Sequence, residues 1–294
     1  MILLLGGRGF IGSAFRRHLD STVAEYQSIS RKECDCTNRG RLISLIRDSN
    51  ATFLINAAGY TGDPTVDECE KHKGKCLSGN AVMPAAIRDA CEECDLPWGH
   101  ISTGCIYKGS HSDGSGFTET DRPNFSFRCP PSSFYSGSKA LGEECLEGAE
   151  RTFLWRLRLP FNHIDSKRNY LSKLMRYERL LEATNSISQL DESVKACLRS
   201  WRERIPFGIY NVTNPGVVTT REVCDLIQKH LRSDKQFDFF ADEAEFMRTT
   251  AKTPRSSCVL DSSKIINAGI PLTEVHEAIE KALVNWQTRA EVAV

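Results

Sequence analysis

Long hydrophobic runs are missing from this chain of 294 residues. Its one strongly apolar stretch near the start, Ile2 to Leu5, is too short for a membrane span or a signal-peptide core and gives way at once to glycines. No membrane association is expected, and the localisation read from this is cytoplasmic. An excess of one charge is missing too, since Lys plus Arg and Asp plus Glu stand at 38 each. No global field therefore draws the chain to nucleic acid or anionic lipid, and small-molecule partners are expected. Histidine is sparse, seven residues scattered without ligand spacing. The single Cys-x-x-Cys pair, Cys91 and Cys94, has no second pair at ribbon distance, so no metal is expected. Internal repeats and low-complexity tracts are also absent. Cysteine, by contrast, is plentiful. Twelve of them with no secretory signal imply a reducing compartment and free thiols rather than a disulfide framework.

What is present is ordered. With 40% hydrophobic and 26% charged residues, the chain has material for one large domain or a domain with a smaller lobe, and not for more. Its N-terminal half alternates short apolar runs with helical patterns, as repeated βαβ units do around a parallel sheet. Strands are expected at Ile2–Leu5, Glu25–Ile29, Phe53–Asn56, Gly99–Ser102 and Phe153–Leu157. Helices are expected at Ile11–Leu19, Arg39–Asp48, Asn80–Glu93 and Ser136–Glu147. The Gly-, Pro- and Ser-rich stretch from Ser110 to Ser133 reads as a long functional loop. Beyond Pro160 comes a polar helical stretch to about Arg204, then a strand at Gly208–Val212, and finally an amphipathic segment at Leu272–Trp286. The expected fold is α/β, with a nucleotide-binding domain over 1–162 that takes back a strand within 205–214. A substrate lobe is expected from 163–204 and 215–294.

Chemistry gathers at a few short strings. GGRGFIG follows the first strand and opens a helix, which places Gly6, Gly9 and Gly12 where the backbone must turn and approach a pyrophosphate. Arg8, Phe10 and Ile11 lie in the same loop, and the helix start offers free N–H groups to phosphate. At the end of the second strand, where NAD enzymes usually hold the adenine ribose with an acid, stand Ser30, Arg31 and Lys32. Cations there and at Arg8 suit a 2′-phosphate, so NADPH is favoured, with NADH left open. Asp35 is within reach of the adenine amine, and Asn56, Ala57, Ala58 and Gly59 end the next strand beside the cofactor. YSGSK supplies Tyr135 as proton donor and Lys139 one helical turn on, where its charge lowers the phenol's pKa. Thr103 in STGCIY adds a second hydroxyl. Cys105, two residues later, has no use in a plain ketone reductase, whereas a carbon-acid epimerase needs such a group. Thr61 and Gly62, directly after NAAG, are expected to line the sugar pocket.

These strings occur in the order and spacing of short-chain dehydrogenases, and the chain resembles an extended member of that superfamily. More narrowly it resembles the nucleotide-rhamnose synthases, the UDP-4-keto-6-deoxyglucose 3,5-epimerase/4-reductases, which are related to dTDP-4-dehydrorhamnose reductase. The likeness rests on NAAGYTGDPTVDECEKHK from Asn56, STGCIY, GSGFTETDRPNF from Gly114, FYSGSKA from Phe134, RLRLP from Arg156, NYLSKLMRY from Asn169, GIYNVTNPGVV from Gly208 and TPRSSCVLD from Thr253. Phe125 to Ser133 is longer than the family pattern, and Ser193 to Arg204 matches it poorly.

The resemblance implies a Rossmann-type doubly wound sheet with a smaller C-terminal lobe. It implies hydride-transfer roles for Thr103, Tyr135 and Lys139, an epimerisation pair in Cys105 and Lys173, and substrate contacts that include Asn162 and Arg255. The substrate would be a UDP- or dTDP-linked 4-keto-6-deoxyglucose, the product nucleotide-L-rhamnose, and the assembly a homodimer. By residue type alone, Lys173 reads as a surface lysine, Cys105 as a small buried hydrophobe and Arg255 as a surface arginine. A reductase without epimerase activity and a non-catalytic subunit of the same fold are the competing functions.

Overall fold

The computed structural model describes residues 1–288. Six parallel strands form one sheet: β1 (Ile2–Leu5), β2 (Tyr26–Ile29), β3 (Phe53–Asn56), β4 (Trp98–Thr103), β5 (Thr152–Leu157) and β6 (Gly208–Asn211), in the spatial order β2-β1-β3-β4-β5-β6. Chain direction across the sheet reverses between β1 and β3, so the carboxyl ends of those strands open onto a switch point, where such folds take their ligands. The α/β, Rossmann-type expectation is met. Bounds of the sheet strands and of the helices at Phe10–Ser21, Arg39–Ser49 and Phe134–Glu144 lie within a few residues of those expected.

Both faces of the sheet are covered, which explains why its strands read as unbroken apolar runs. On one face Leu4, Phe53, Phe153 and Trp155 pack under helix α1 (Phe10–Ser21). On the other, Leu3, Leu5, Leu54 and Trp98 meet α2 (Arg39–Ser49) and α3 (Met83–Glu93). Gly99 has a packing reason: a Cβ there would lie 2.1 Å from the Trp155 ring. Helix α4 (Phe134–Glu144) follows the long loop and carries the Tyr-x-x-x-Lys string.

Three findings depart from expectation. The helix expected from Asn80 begins earlier, at Lys73, and passes through a π-helical turn at Ser78–Val82 before α3. That turn brings the Asn80 backbone so close to α4 that a Cβ on Gly142 would lie 2.0 Å from the Asn80 oxygen. The polar stretch after Pro160 is not one helical region; α5 (Tyr170–Arg176) and α6 (Leu190–Arg202) are separated by two-residue strands at Arg179–Leu180 and Thr184–Asn185. Finally, α6 falls within 163–204, the stretch expected for the substrate lobe, yet it packs on the sheet beside α1. Leu190, Val194 and Cys197 join that core, and Trp201 stacks on Phe53 with ring centroids 4.6 Å apart. Its apolar stripe has a partner face only there.

The lobe has its own core, where α5, α7 (Thr220–His230) and α8 (Val275–Val284) bury Leu171, Leu174, Val223, Ile227, Val275 and Ile279. The long loop is pinned outside that core: Phe117 bridges to Leu260 and packs with Ile106, Tyr107 and Cys258, and Asn211 at the end of β6 donates to the carbonyl oxygens of Phe117 and Asp261.

Candidate active site

The motifs that follow strands β1 to β4 lie at the carboxyl edge of the sheet. Leu5 at the end of β1 is in register with Ile29 and Asn56, and Thr103 with Leu157. The glycine loop, the Ser30 segment, NAAG and the STGCIY turn therefore lie side by side. Gly6 has φ +80°, and a Cβ there would meet the Ala58 amide nitrogen at 2.6 Å; on Gly12 it would meet the Gly6 oxygen at 2.1 Å. Loop and NAAG strand are thus in backbone contact. Below them, buried Asn56 is hydrogen-bonded to His100 at 3.0 Å and accepts from the Ala58 amide. Burial, with the charge of Lys139 added, keeps His100 well below its usual pKa and so neutral.

The residues present fit a dinucleotide. Gly9 precedes α1 with no side-chain cap, leaving the first amides of a twelve-residue helix free for phosphate. Arg8, Arg31 and Lys32 are exposed and, among the described residues, in no ion pair. Ser30 donates its amide to Glu33. Asp35 is engaged locally: its carboxylate accepts from the Thr37 hydroxyl and amide, which hold its pKa below the usual range.

Thr103 ends β4, buried, and accepts from the Cys105 amide across the short turn Gly104–Ile106. Ser133 caps α4 by accepting from the Ser136 amide, which places Tyr135 in the first turn and Lys139 one turn on, on the same face. Burial raises the Tyr135 phenol well above its ordinary pKa and Cys105 adds to this, while a hydrogen bond with Thr103 opposes it. Lys139 is 6% exposed and donates to the Ile101 carbonyl at 3.1 Å. Burial pushes it down to about 8, against the opposing pull of Glu143. Lys173 is on α5, facing the same site. Burial and then Arg168 lower its pKa, and Cys105 partly restores it.

Other expected contacts are placed differently. Arg255 grips Asp67 with both Nη atoms, at 2.8 and 2.7 Å, so anion binding by its guanidinium would require an exchange of partners. Asn162 is buried under α5, where its Oδ1 accepts from the Ile164 amide and from Asn169, the residue that caps that helix; its Nδ2 has no partner. Thr61 is exposed, and the Gly62 carbonyl accepts from Arg168 at 2.6 Å. Three neighbours escaped the sequence reading. Glu143 accepts from Ser102 and pairs with Arg156 at 2.7 Å, fully buried. Arg158 donates to the Cys105 sulfur at 2.8 Å. Asn80 holds Tyr60 through both backbone groups and donates to Ser138. Alternate arginines in the otherwise apolar strand RLRLP were the available signal for the first two, because charges enter a twice-covered strand only with partners.

Residues 1–288 match the family model described as the RmlD substrate binding domain. The chain belongs to that family. It is 31% identical over 295 residues to a bifunctional dTDP-4-dehydrorhamnose 3,5-epimerase/dTDP-4-dehydrorhamnose reductase of Arabidopsis thaliana, covering 99% of this chain and 94% of the relative. A trifunctional UDP-glucose 4,6-dehydratase/UDP-4-keto-6-deoxy-D-glucose 3,5-epimerase/UDP-4-keto-L-rhamnose-reductase of the same plant is 32% identical over 90% of this chain, which spans only 39% of that longer protein. Among solved structures, a UDP-rhamnose synthase from Acanthamoeba polyphaga mimivirus superposes with TM-score 0.88 at 22% identity, covering 97% of this chain and 98% of that one. A dTDP-4-dehydrorhamnose reductase from Bacillus anthracis in complex with NADP gives 0.80 at 18% identity, with 96% of each chain covered. Among the described residues no helix is long and apolar enough to cross a membrane, and no group of three or more His, Cys, Asp or Glu is arranged to hold a metal ion.

Proposed function

We propose that the chain is an NADPH-dependent 3,5-epimerase/4-reductase acting on a UDP- or dTDP-linked 4-keto-6-deoxyglucose, and that it yields the nucleotide-L-rhamnose. The observation that carries the reading is the placement of Cys105: its amide donates to the Thr103 hydroxyl at 3.1 Å and its sulfur accepts from the buried Arg158 at 2.8 Å. A ketone reduction alone needs only the Thr103, Tyr135 and Lys139 set.

The carbons on either side of a sugar ketone release a proton when the enolate oxygen is stabilised, and the Thr103 and Tyr135 hydroxyls are the donors for it. Inversion requires a base on one face of the ring and an acid on the other. Cys105 and Lys173 fill those roles, one from the turn after β4 and the other from α5. NADPH, held at the glycine loop, would supply the hydride for the keto carbon. Tyr135 then gives its proton to the new alkoxide, with Lys139 positively charged behind it. Arg8, Arg31 and Lys32 receive the 2′-phosphate. A homodimer is part of the same reading.

The test is incubation with UDP- and dTDP-4-keto-6-deoxyglucose in deuterated water with NADPH, and NMR of the product sugar. The expected product is rhamnose carrying deuterium at both carbons flanking the former ketone. In Cys105→Ser and Lys173→Ala, deuterium uptake should fall by ~10²–10⁴-fold, as on loss of a positioned acid or base. Normal uptake in both variants would leave a simple reductase.

A further inference from the structure

Strand β5 and its continuation carry two buried arginines, of which only one meets a carboxylate. Arg156, 2% exposed, is neutralised by Glu143, which contacts its Nε and Nη2. Arg158, 3% exposed, gives Nη2 to the Asn185 side-chain oxygen at 2.6 Å and to the Ser256 carbonyl at 2.5 Å. Both acceptors are neutral, and Nε has no partner. Its remaining hydrogen bond runs from Nη1 to the Cys105 sulfur at 2.8 Å. A buried guanidinium without a counter-charge is strongly disfavoured. The one ionisable group hydrogen-bonded to this arginine is the Cys105 thiol.

We infer that Arg158 is the positioning residue of the epimerisation step: it holds Cys105 as a thiolate and fixes the sulfur for proton abstraction. This rests on the epimerase reading above. Every element packed around the sulfur has a group to weigh. From α4 come Tyr135, neutral, and Lys139, whose nearest carboxylate, Glu143, is committed to Arg156. Lys173 comes from α5. From the Ser256–Leu260 segment comes Cys258, a second thiol near Arg158; burial pushes it up to about 11, so it stays protonated at neutral pH. Three basic groups thus surround one thiol able to carry the balancing charge. The step balances: the C–H proton moves to the sulfur, and its electron pair becomes the enolate held by Thr103 and Tyr135. Lys173 donates a proton to the opposite face of that carbon, and thiol and amine return to their starting forms by exchange with water.

The experiment uses the full chain with Arg158→Gln and Arg158→Lys. Cys105 alkylation by iodoacetamide is followed by peptide mass spectrometry across pH, because the rate tracks the thiolate fraction. In Arg158→Gln, which keeps a hydrogen-bond donor and loses the charge, alkylation near neutral pH should fall at least ~10-fold and recover at alkaline pH. Arg158→Lys should restore most of it. Deuterium uptake into the 4-keto sugar should fall in Arg158→Gln at least ~10-fold more than NADPH oxidation with a pre-epimerised sugar. Wild-type alkylation in Arg158→Gln, or equal losses in both activities, would overturn the inference. If the Gln variant does not fold, Arg158→Lys decides, since a lysine that leaves Cys105 unreactive at neutral pH also overturns it. A wild-type chain taking up no deuterium defeats the epimerase reading, and the alkylation series still decides whether Arg158 holds the thiolate.

Discussion

Burial of its ring and hydroxyl within the site raises the Tyr135 phenol above its ordinary pKa, so it carries its proton at neutral pH. Replacing it by Phe removes the proton donor and leaves the glycine loop untouched. Tyr135→Phe should oxidise NADPH ~10²–10⁴-fold more slowly while cofactor affinity, read by fluorescence titration, stays nearly unchanged; wild-type turnover would remove Tyr135 from the mechanism. Lys139 gives a second prediction. Burial pushes it down to about 8, below the ~10.4 of an exposed lysine. Between these values the unfolded chain holds a proton that the folded chain has released, so stability rises with pH, by at most ~1.4 kcal/mol per unit. Urea unfolding without cofactor should show wild type gaining on Lys139→Met across that window, and a constant gap would remove the lysine as the cause. Both residues were legible because Tyr-x-x-x-Lys is a local spacing. Arg158 and Asp67 were not, because their meaning lies in partners 53 and 188 positions away.

Among the elements, the β1–α1 unit was the most readable: glycine spacing, strand and helix signals agree over a dozen residues. Its tightest point is Gly12. A methyl group there meets the Gly6 backbone oxygen at 2.1 Å, and backbone cannot step aside as a side-chain end does. Gly12→Ala should therefore cost about 1–3 kcal/mol, in the range of overpacked sites, and should shrink the rise in melting temperature that NADPH produces. An unaltered rise would mean the loop does not touch the cofactor. The π turn at Ser78–Val82 was illegible for a physical reason: one extra residue per turn shifts the face of the helix without interrupting its run of helix formers. The place of helix α6 is not legible for another reason: its apolar stripe says that it packs, and not against which core.

At the scale of the whole molecule, sheet side and lobe are tied by Asp67 with Arg255 and by Arg168 with the Gly62 carbonyl. Burial works against the charge of Asp67, yet Arg255 outweighs it and holds the carboxyl below its usual pKa. The contribution is present above the ~3.9 of a free aspartate and is lost as pH falls through the lower folded value. Asp67→Asn should lower the melting temperature at neutral pH, and the gap from wild type should close in strong acid; a gap independent of pH would place the loss elsewhere. This tie was not legible in the sequence, because it pairs residues from distant segments in a geometry only the folded chain defines.

The path of the chain has a last consequence. After β5 it visits the lobe at α5, returns to the sheet as α6 and β6, leaves again for α7, comes back to pack Ile265 and Ile270 under the sheet, and ends in the lobe at α8. The lobe is therefore not a cassette. A chimaera meant to trade one nucleotide sugar for another cannot be made with a single splice, because each lobe segment would have to be transplanted separately while the sheet-packing stretches between them stay behind.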